Sequence, residues 1–496
     1  MHSVSQAVLR SWSIPPAATF AIALSAVIYL RGWWLLRRAG SPNIPPWRAV
    51  TFLLGLLSLW IALASPMDVF NSFVLTAHML QHMMLMMVVP PLLLLGAPLV
   101  PMVRGLPIFA AREFAGPFLN WSVAKRVGTA ITNPVFALLL MGVTMFAWHT
   151  PVLYELALRS SAWHQTEHAC FLFASLIFWW PVVQPWPSRA QWPRWAMVPY
   201  LLIADLQNTA LCAILAFSDH ALYPSYSAVP RLFGFSALED QVAAGATMWV
   251  VGSLAFVVPA IVIAVKCLSR NASQDAIAST RRRETSFFGL AFSRSAEIPL
   301  LPRLVKIRWS SKRMEACSFV VLFAAASLCF AGLLAAGAND DDNQTLKFKE
   351  ISGPFAVAVF SAPGDLDAGP SEFSVLVQDR NTHEVLLGAA VDLAAYPAVD
   401  APGNRVTARA STADSQNKLL QTAEPNLPNE GEWTLNITVS NNSDSGHFSM
   451  PLHIVKPEAG VEKPWPYVLI SVFSVILAGI YLGRRRFPHG ERAVQA

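Results

Sequence analysis

Two histidine pairs, in His78-Met79-Leu80-Gln81-His82 and His164-Gln165-Thr166-Glu167-His168, each place imidazoles four residues apart. On a helix that spacing stacks both rings on one face, so one helix can offer two ligands to one ion. Both pairs stand at the start of long apolar runs, where ionisable groups are rare and usually functional. His149, in Ala147-Trp148-His149-Thr150-Pro151, closes a third apolar run. It reads equally well as a further ligand or as the polar neighbour of an interfacial tryptophan. The candidate metal ligands are therefore His78, His82, His149, His164 and His168. Thioethers suit Cu(I), and Met79 and Met83 flank the first pair, although methionine is also common filler of apolar helices. Glu167 lies beside the second pair, and a carboxylate ligand would shift preference toward Cu(II) or zinc.

Other polar residues carry less. Asp205 in LIADLQNTAL (202–211) and Asp240 at the start of a later apolar run need a partner or a proton. Asp205 reads as a support for a ligand imidazole or as a hydrogen bond between helices. His220 follows Asp219 in a loop and reads as solvated. In His447-Phe448-Ser449-Met450-Pro451-Leu452-His453, a regular strand would put both histidines on one face and Met450 on the other. Solvent-facing strand residues are the reading for that segment.

The elements that must position these groups are membrane spans. The chain has 496 residues, 54% hydrophobic and 14% charged, with mean hydropathy +0.43, where a soluble protein carries about 25% charged residues. A spanning helix needs about 20 mostly apolar residues. The pattern predicts nine spans, near 17–36, 49–65, 73–95, 133–149, 166–185, 196–217, 241–265, 317–337 and 466–483. Alternate connections are basic: Arg37, Arg38 and Arg48; Arg104, Arg112, Lys125 and Arg126; Arg189 and Arg194; eleven residues within 266–316; and Arg484 to Arg486. The positive-inside rule then puts the N-terminus outside and the C-terminus in the cytoplasm, and all the intramembrane histidines near the outer face.

The net charge of +5 conceals two opposite parts. Residues 339–463 hold 18 acidic and 8 basic residues, −10, which leaves +15 elsewhere. The basic clusters flank apolar spans, so nucleic acid is not the expected partner. Short runs such as FAVAVF (355–360), FSVLVQD (373–379) and WTLNITVS (433–440), separated by Gly, Pro, Asp and Asn turns, predict a small antiparallel β-sandwich. None of the five cysteines lies in it, so it must fold through its own core. The expected fold class is membrane all-α: a seven-helix bundle over 1–265, a basic cytoplasmic linker over 266–316 without clear periodicity and partly disordered, a span at 317–337, an extracytoplasmic β-sandwich over 338–465, and a final span and tail over 466–496.

HMLQHMMLMMVVPPLLLLGAP (78–98), AWHTPVLYELAL (147–158), HQTEHACFLFASLIFWWPVV (164–183) and LEDQVAAGATMWV (238–250) together resemble the CtaG family of cytochrome c oxidase assembly factors. The resemblance covers about 50–265 and places His78, His82, His149, His164, His168 and Asp240 at motif positions. It implies a non-enzymatic role in maturing a haem–copper oxidase in a bacterial plasma membrane. It also implies copper as the metal, and oxidase subunits and a periplasmic copper chaperone as partners, besides the membrane lipids. The segment 353–379 is similar to periplasmic YtkA/FixH-like β domains. Rival readings are a copper transporter or resistance protein, which needs ligands through the membrane depth, and a membrane haem protein, which needs axial histidines on facing helices.

Overall fold

The computed structural model describes residues 2–110, 122–188, 190–287, 345–362, 366–397, 405–441 and 444–455. The spans expected at 317–337 and 466–483 lie outside these residues. Six described helices are long and apolar enough to cross a membrane: Pro16–Arg38, Pro46–Val69, Leu75–Leu95, Ser161–Val183, Arg194–Ala216 and Ala237–Ser269. A bent pair, Pro134–Trp148 and Pro151–Arg159, turns by 70° and makes up to seven. These are the first, second, third, fifth, sixth, seventh and, for the bent pair, fourth spans below. Thr150 and Pro151 follow the first limb of the pair, and proline fits the first turn of the second limb because its missing N–H is not needed there.

The third span is not a regular helix. A π turn at Met84–Val88 follows directly after the first histidine pair. Pro90 has no N–H to give to the carbonyl four residues back, that of Met86. The Trp179 indole of the fifth span donates to that oxygen at 2.9 Å instead. The sequence Val-Pro-Pro thus breaks the ladder, and a neighbouring helix satisfies the freed group. π turns occur often at functional sites.

Its start is also held from outside. Val74 precedes Leu75 and supplies no side-chain cap. Asp240 of the seventh span takes that place: its carboxylate accepts from Leu75 N at 2.7 Å, Thr76 N at 3.1 Å and Thr76 Oγ1 at 2.7 Å. A negative charge at a helix N-terminus also opposes the helix dipole favourably. This fixes where the helix begins, three residues before His78. The first span packs closely on the short helix Leu99–Gly105, because a Cβ at Gly32 or Gly105 would collide with the facing backbone.

The seventh helix continues to Phe287, well into the stretch where the sequence shows no clear periodicity. In the C-terminal part the described residues form ten strands: β1 Thr345–Ser352, β2 Phe355–Ala362, β3 Gly369–Pro370, β4 Glu372–Asp379, β5 Ala390–Pro397, β6 Val406–Arg409, β7 Gln421–Ala423, β8 Asn426–Leu427, β9 Gly431–Asn441 and β10 Asp444–Ile454. Two four-stranded sheets run β1-β2-β4-β7 and β10-β9-β5-β6, with all pairs antiparallel, beside a two-stranded β3-β8 pair. Val357 and Val375 from the first sheet and Leu393, Ile437 and Phe448 from the second share one core.

The outer face of the first sheet is apolar too, and it docks on the bundle. Phe360 and Leu376 cluster with Phe70, Phe73 and Leu232. The Phe73 and Phe360 rings meet edge-on, with centroids 5.2 Å apart. Gln378 Nε2 donates to the Arg231 carbonyl at 2.8 Å, and the Lys418 N–H donates to Ser11 Oγ at 2.9 Å. The β part therefore rests on the end of the bundle from which the first histidine pair begins.

Candidate metal centre

The third and fifth spans pack together, and their histidine pairs face each other. His78 and His82 are wholly buried, His168 is 3% exposed, and Glu167 between them is wholly buried. Ring centroids lie 4.3 Å apart for His78 and His82, 4.1 Å for His164 and His168, 5.1 Å for His78 and His164, and 5.4 Å for His82 and His168. One potential ligand atom from each of His78, His82 and His168 falls within 4.8 Å of the others, and the same holds for His78, His164 and Glu167. Two i, i+4 pairs from two helices thus converge at one level.

The chemistry of this cluster lies in what its atoms lack. Nε2 of His78, His82, His149, His164 and His168, Nδ1 of His82, and both carboxylate oxygens of Glu167 are buried without a hydrogen-bond partner. Glu167 Oε2 is 3.7 Å from His78 Nε2, and Oε1 is 3.8 Å from His82 Nε2, too far for hydrogen bonds. Buried polar atoms are normally satisfied, and each one left unpaired costs about 1–3 kcal/mol. Orphans gathered this closely fit a bound cation, to which the residues of either three-residue group could each offer one atom. A metal bound to neutral imidazoles and one carboxylate would satisfy the nitrogens and neutralise the acid together.

Surrounding groups orient the rings. Tyr226 donates its hydroxyl to the Asn71 carbonyl at 2.6 Å, so its oxygen can accept from His78 Nδ1 at 3.1 Å. Tyr154 lies 2.9 Å from the same nitrogen and 3.2 Å from the Tyr226 hydroxyl. With the Tyr226 proton committed to Asn71, this network favours a proton on His78 Nδ1, the tautomer that leaves the Nε2 lone pair free. Burial raises the Tyr226 and Tyr223 phenols above their ordinary range, which keeps both protonated as donors. Tyr223 uses its hydroxyl on the His149 carbonyl at 3.0 Å. His149 Nδ1 in turn lies 2.7 Å from the Met145 carbonyl, which can only accept, so Nε2 carries that ring's lone pair. Ligand imidazoles are commonly held in this way through their second nitrogen.

The remaining sequence candidates separate clearly. His149, 6% exposed, borders the cluster, with its ring centroid 6.3 Å from that of His82, but it is in neither three-residue group. Met79 and Met83 are buried in the bundle core. Asp240 acts through the third span's start and touches no histidine of the cluster. Asp205 accepts from Ser253 Oγ at 2.7 Å, joining the sixth and seventh spans, and so serves as the hydrogen bond between helices. His220 pairs with Asp219 in an exposed loop. On β10, His447 and His453 are exposed on one face and Met450 is buried on the other, and Pro451 keeps its register opposite Thr434. Sequence reasoning did not single out Tyr154 or Tyr226. Tyr154 stands five residues after His149, but the loop residue Tyr226 offers no spacing signal.

A polytopic membrane protein with a buried imidazole–carboxylate centre beneath a β domain is the class these features define. Residues 27–270, just under half of the chain, match the family model described as cytochrome c oxidase caa3 assembly factor (Caa3_CtaG). Similar curated proteins include uncharacterised proteins of Mycobacterium bovis and Mycobacterium tuberculosis, each 25% identical over 283 residues, covering 55% of this chain and 41% of the relative. An uncharacterised protein of Mycobacterium leprae is 28% identical over 252 residues, covering 50% of this chain and 37% of the relative. The chain thus spans about two-fifths of the length of these relatives. No solved structure matches it.

Proposed function

We propose that this chain is a non-enzymatic assembly factor for a haem–copper cytochrome c oxidase and holds copper in the cluster between the third and fifth spans. The match of residues 27–270 to the assembly-factor family model supports the assembly role. The observation that carries the copper reading is the convergence of unpartnered buried nitrogens from His78, His82, His164 and His168 around Glu167. His78, His82 and His168 would hold the ion, and three neutral imidazoles suit Cu(I). Glu167 balances its charge. His164 borders the site on the outer side, and His149 lines its far edge. Oxidase subunits would receive the metal, and a periplasmic copper chaperone would supply it.

The bent pair counts as one span in this reading, which gives seven spans over 1–265, and the two four-stranded sheets form a sandwich within 338–465, similar to YtkA/FixH-like domains. The basic loops orient the sandwich outward and the C-terminus to the cytoplasm of a bacterial plasma membrane. The transporter reading is weaker because both ligand groups share His78, so the ligands occupy one level of the membrane. Metal analysis of the purified full chain tests the proposal. Copper bound by the parent and lost with His78→Ala, His82→Ala, His164→Ala and His168→Ala combined supports it. Equal copper in both, or a haem spectrum, contradicts it.

A further inference from the structure

Between the β part and the bundle lies a cavity of about 410 Å³. Its floor includes His164 and His168, whose Nε2 atoms are buried and unpartnered. His168 is 97% buried, and His78 and His82 lie behind it with no exposure. Four carboxylates line the cavity: Asp68 from the bundle side, and Glu372, Asp414 and Glu424 from the β part. Among the described residues, no Lys or Arg lines the cavity. Asp414 and Glu424 are exposed at its edge, and Glu372 is half-buried. The volume holds a hydrated cation with several waters.

The placement of charge is specific to this mouth. The three β-part acids come from separate segments: the start of β4, the turn before β7 and the turn after it. The docking of Phe360 and Leu376 on Phe70 and Phe73 sets those segments over the fifth span. A recess lined by charges of one sign concentrates counter-ions and raises their on-rate.

We propose that this recess is the loading vestibule of the metal centre, through which a free or weakly held metal cation passes from the extracytoplasmic side. The inference rests on the reading of the histidine cluster as a metal site. The β part is then a working wall of the site, giving it an acidic funnel that the bundle alone does not have. His164 and His168 are the first nitrogens the cation meets, and His78 and His82 complete its coordination.

The test uses the purified full chain in detergent, loaded anaerobically with Cu(I) from acetonitrile and quenched with a chelator at increasing times. The combined variant Glu372→Gln, Asp414→Asn and Glu424→Gln keeps side-chain shape and removes charge. At a low salt of about 10 mM, where the Debye length is about 30 Å, loading of this variant should be about five-fold slower than the parent's. Both should reach the same final copper content, which shows that the variant is folded. The two rates should converge near 0.5 M salt, roughly where screening falls within a few Å. Equal rates at low salt, with loading still abolished by the four-histidine variant, overturn the vestibule and leave the metal site standing. Parent-like loading of the four-histidine variant overturns both. A slower variant whose rate deficit persists at high salt also overturns the electrostatic route.

Discussion

Two regions of this molecule carry paired histidines with ligand-like spacing, and their fates differ. On β10, His453 Nδ1 lies 2.7 Å from the Glu432 carboxylate, and His447 lies 3.3 Å from Thr438 Oγ1, all exposed to solvent. In the bundle, the Nε2 atoms of His78, His82, His164 and His168 are buried and have no hydrogen-bond partner. Residue type is alike and each pair shares one face of its element, and water makes the difference. A solvated imidazole is already satisfied and gains little from an ion, whereas a buried unpaired one gains much. The proposed site is marked by unmet demand at depth more than by the ligand types themselves.

The largest expected effect comes from the proposed bundle ligands. His78→Ala or His82→Ala should each weaken copper binding by more than about 100-fold, measured by competition with a chelator of known affinity, because each removes an inner ligand and leaves others orphaned. Affinity should also fall as pH drops, since protons compete for the imidazole lone pairs that a metal needs. A pH-independent affinity would place the metal elsewhere. Next comes Tyr226→Phe, which removes an acceptor from His78 Nδ1 and a hydrogen bond to Asn71. A weakening of about 10–100-fold is expected, with the metal content at saturation unchanged. Unaltered affinity would show that Tyr226 does not set the His78 ring.

Asp240→Ala should act mainly on stability. It removes three hydrogen bonds at the start of the third span, and loss of a helix cap costs about 0.5–2 kcal/mol. A lowered thermal transition with modest change in saturating copper is the expected pattern. Full stability would mean that the span holds its own start. The smallest effect belongs to the strand. His447→Ala with His453→Ala should leave bound copper unchanged, and any loss would break the contrast between the two regions.

Much of this was legible in the sequence, for identifiable reasons. The i, i+4 spacing of His78 with His82 and of His164 with His168 placed each pair on one helical face, and apolar length located the spans. That the two faces meet depends on the packing of the third span on the fifth, helped by Trp179 filling the bond that Pro90 removes, and no local pattern carries that. Asp240 was visible as an intramembrane acid, but its cap on Leu75 lies 165 residues away in the chain.

The strands taught a second lesson. HFSMPLHIV alternates, and its polar face is indeed solvated. FAVAVF and FSVLVQD have apolar residues on both faces, which signals burial on both sides. In the fold, Val357 and Val375 enter the β core while Phe360 and Leu376 enter the dock on the bundle. The docking face was therefore written into β2 and β4, although its target was not. Tyr226 remained hidden because a loop tyrosine has no periodicity to betray it.

The central claim is that the buried cluster, and not the strand, is the metal site. Copper per chain measured on three purified full-length proteins tests it most directly: the parent, the variant with His78, His82, His164 and His168 all changed to Ala, and the variant with His447 and His453 changed to Ala. The account predicts equal copper in the parent and the strand variant and almost none in the bundle variant. Copper retained by the bundle variant and lost from the strand variant would contradict it.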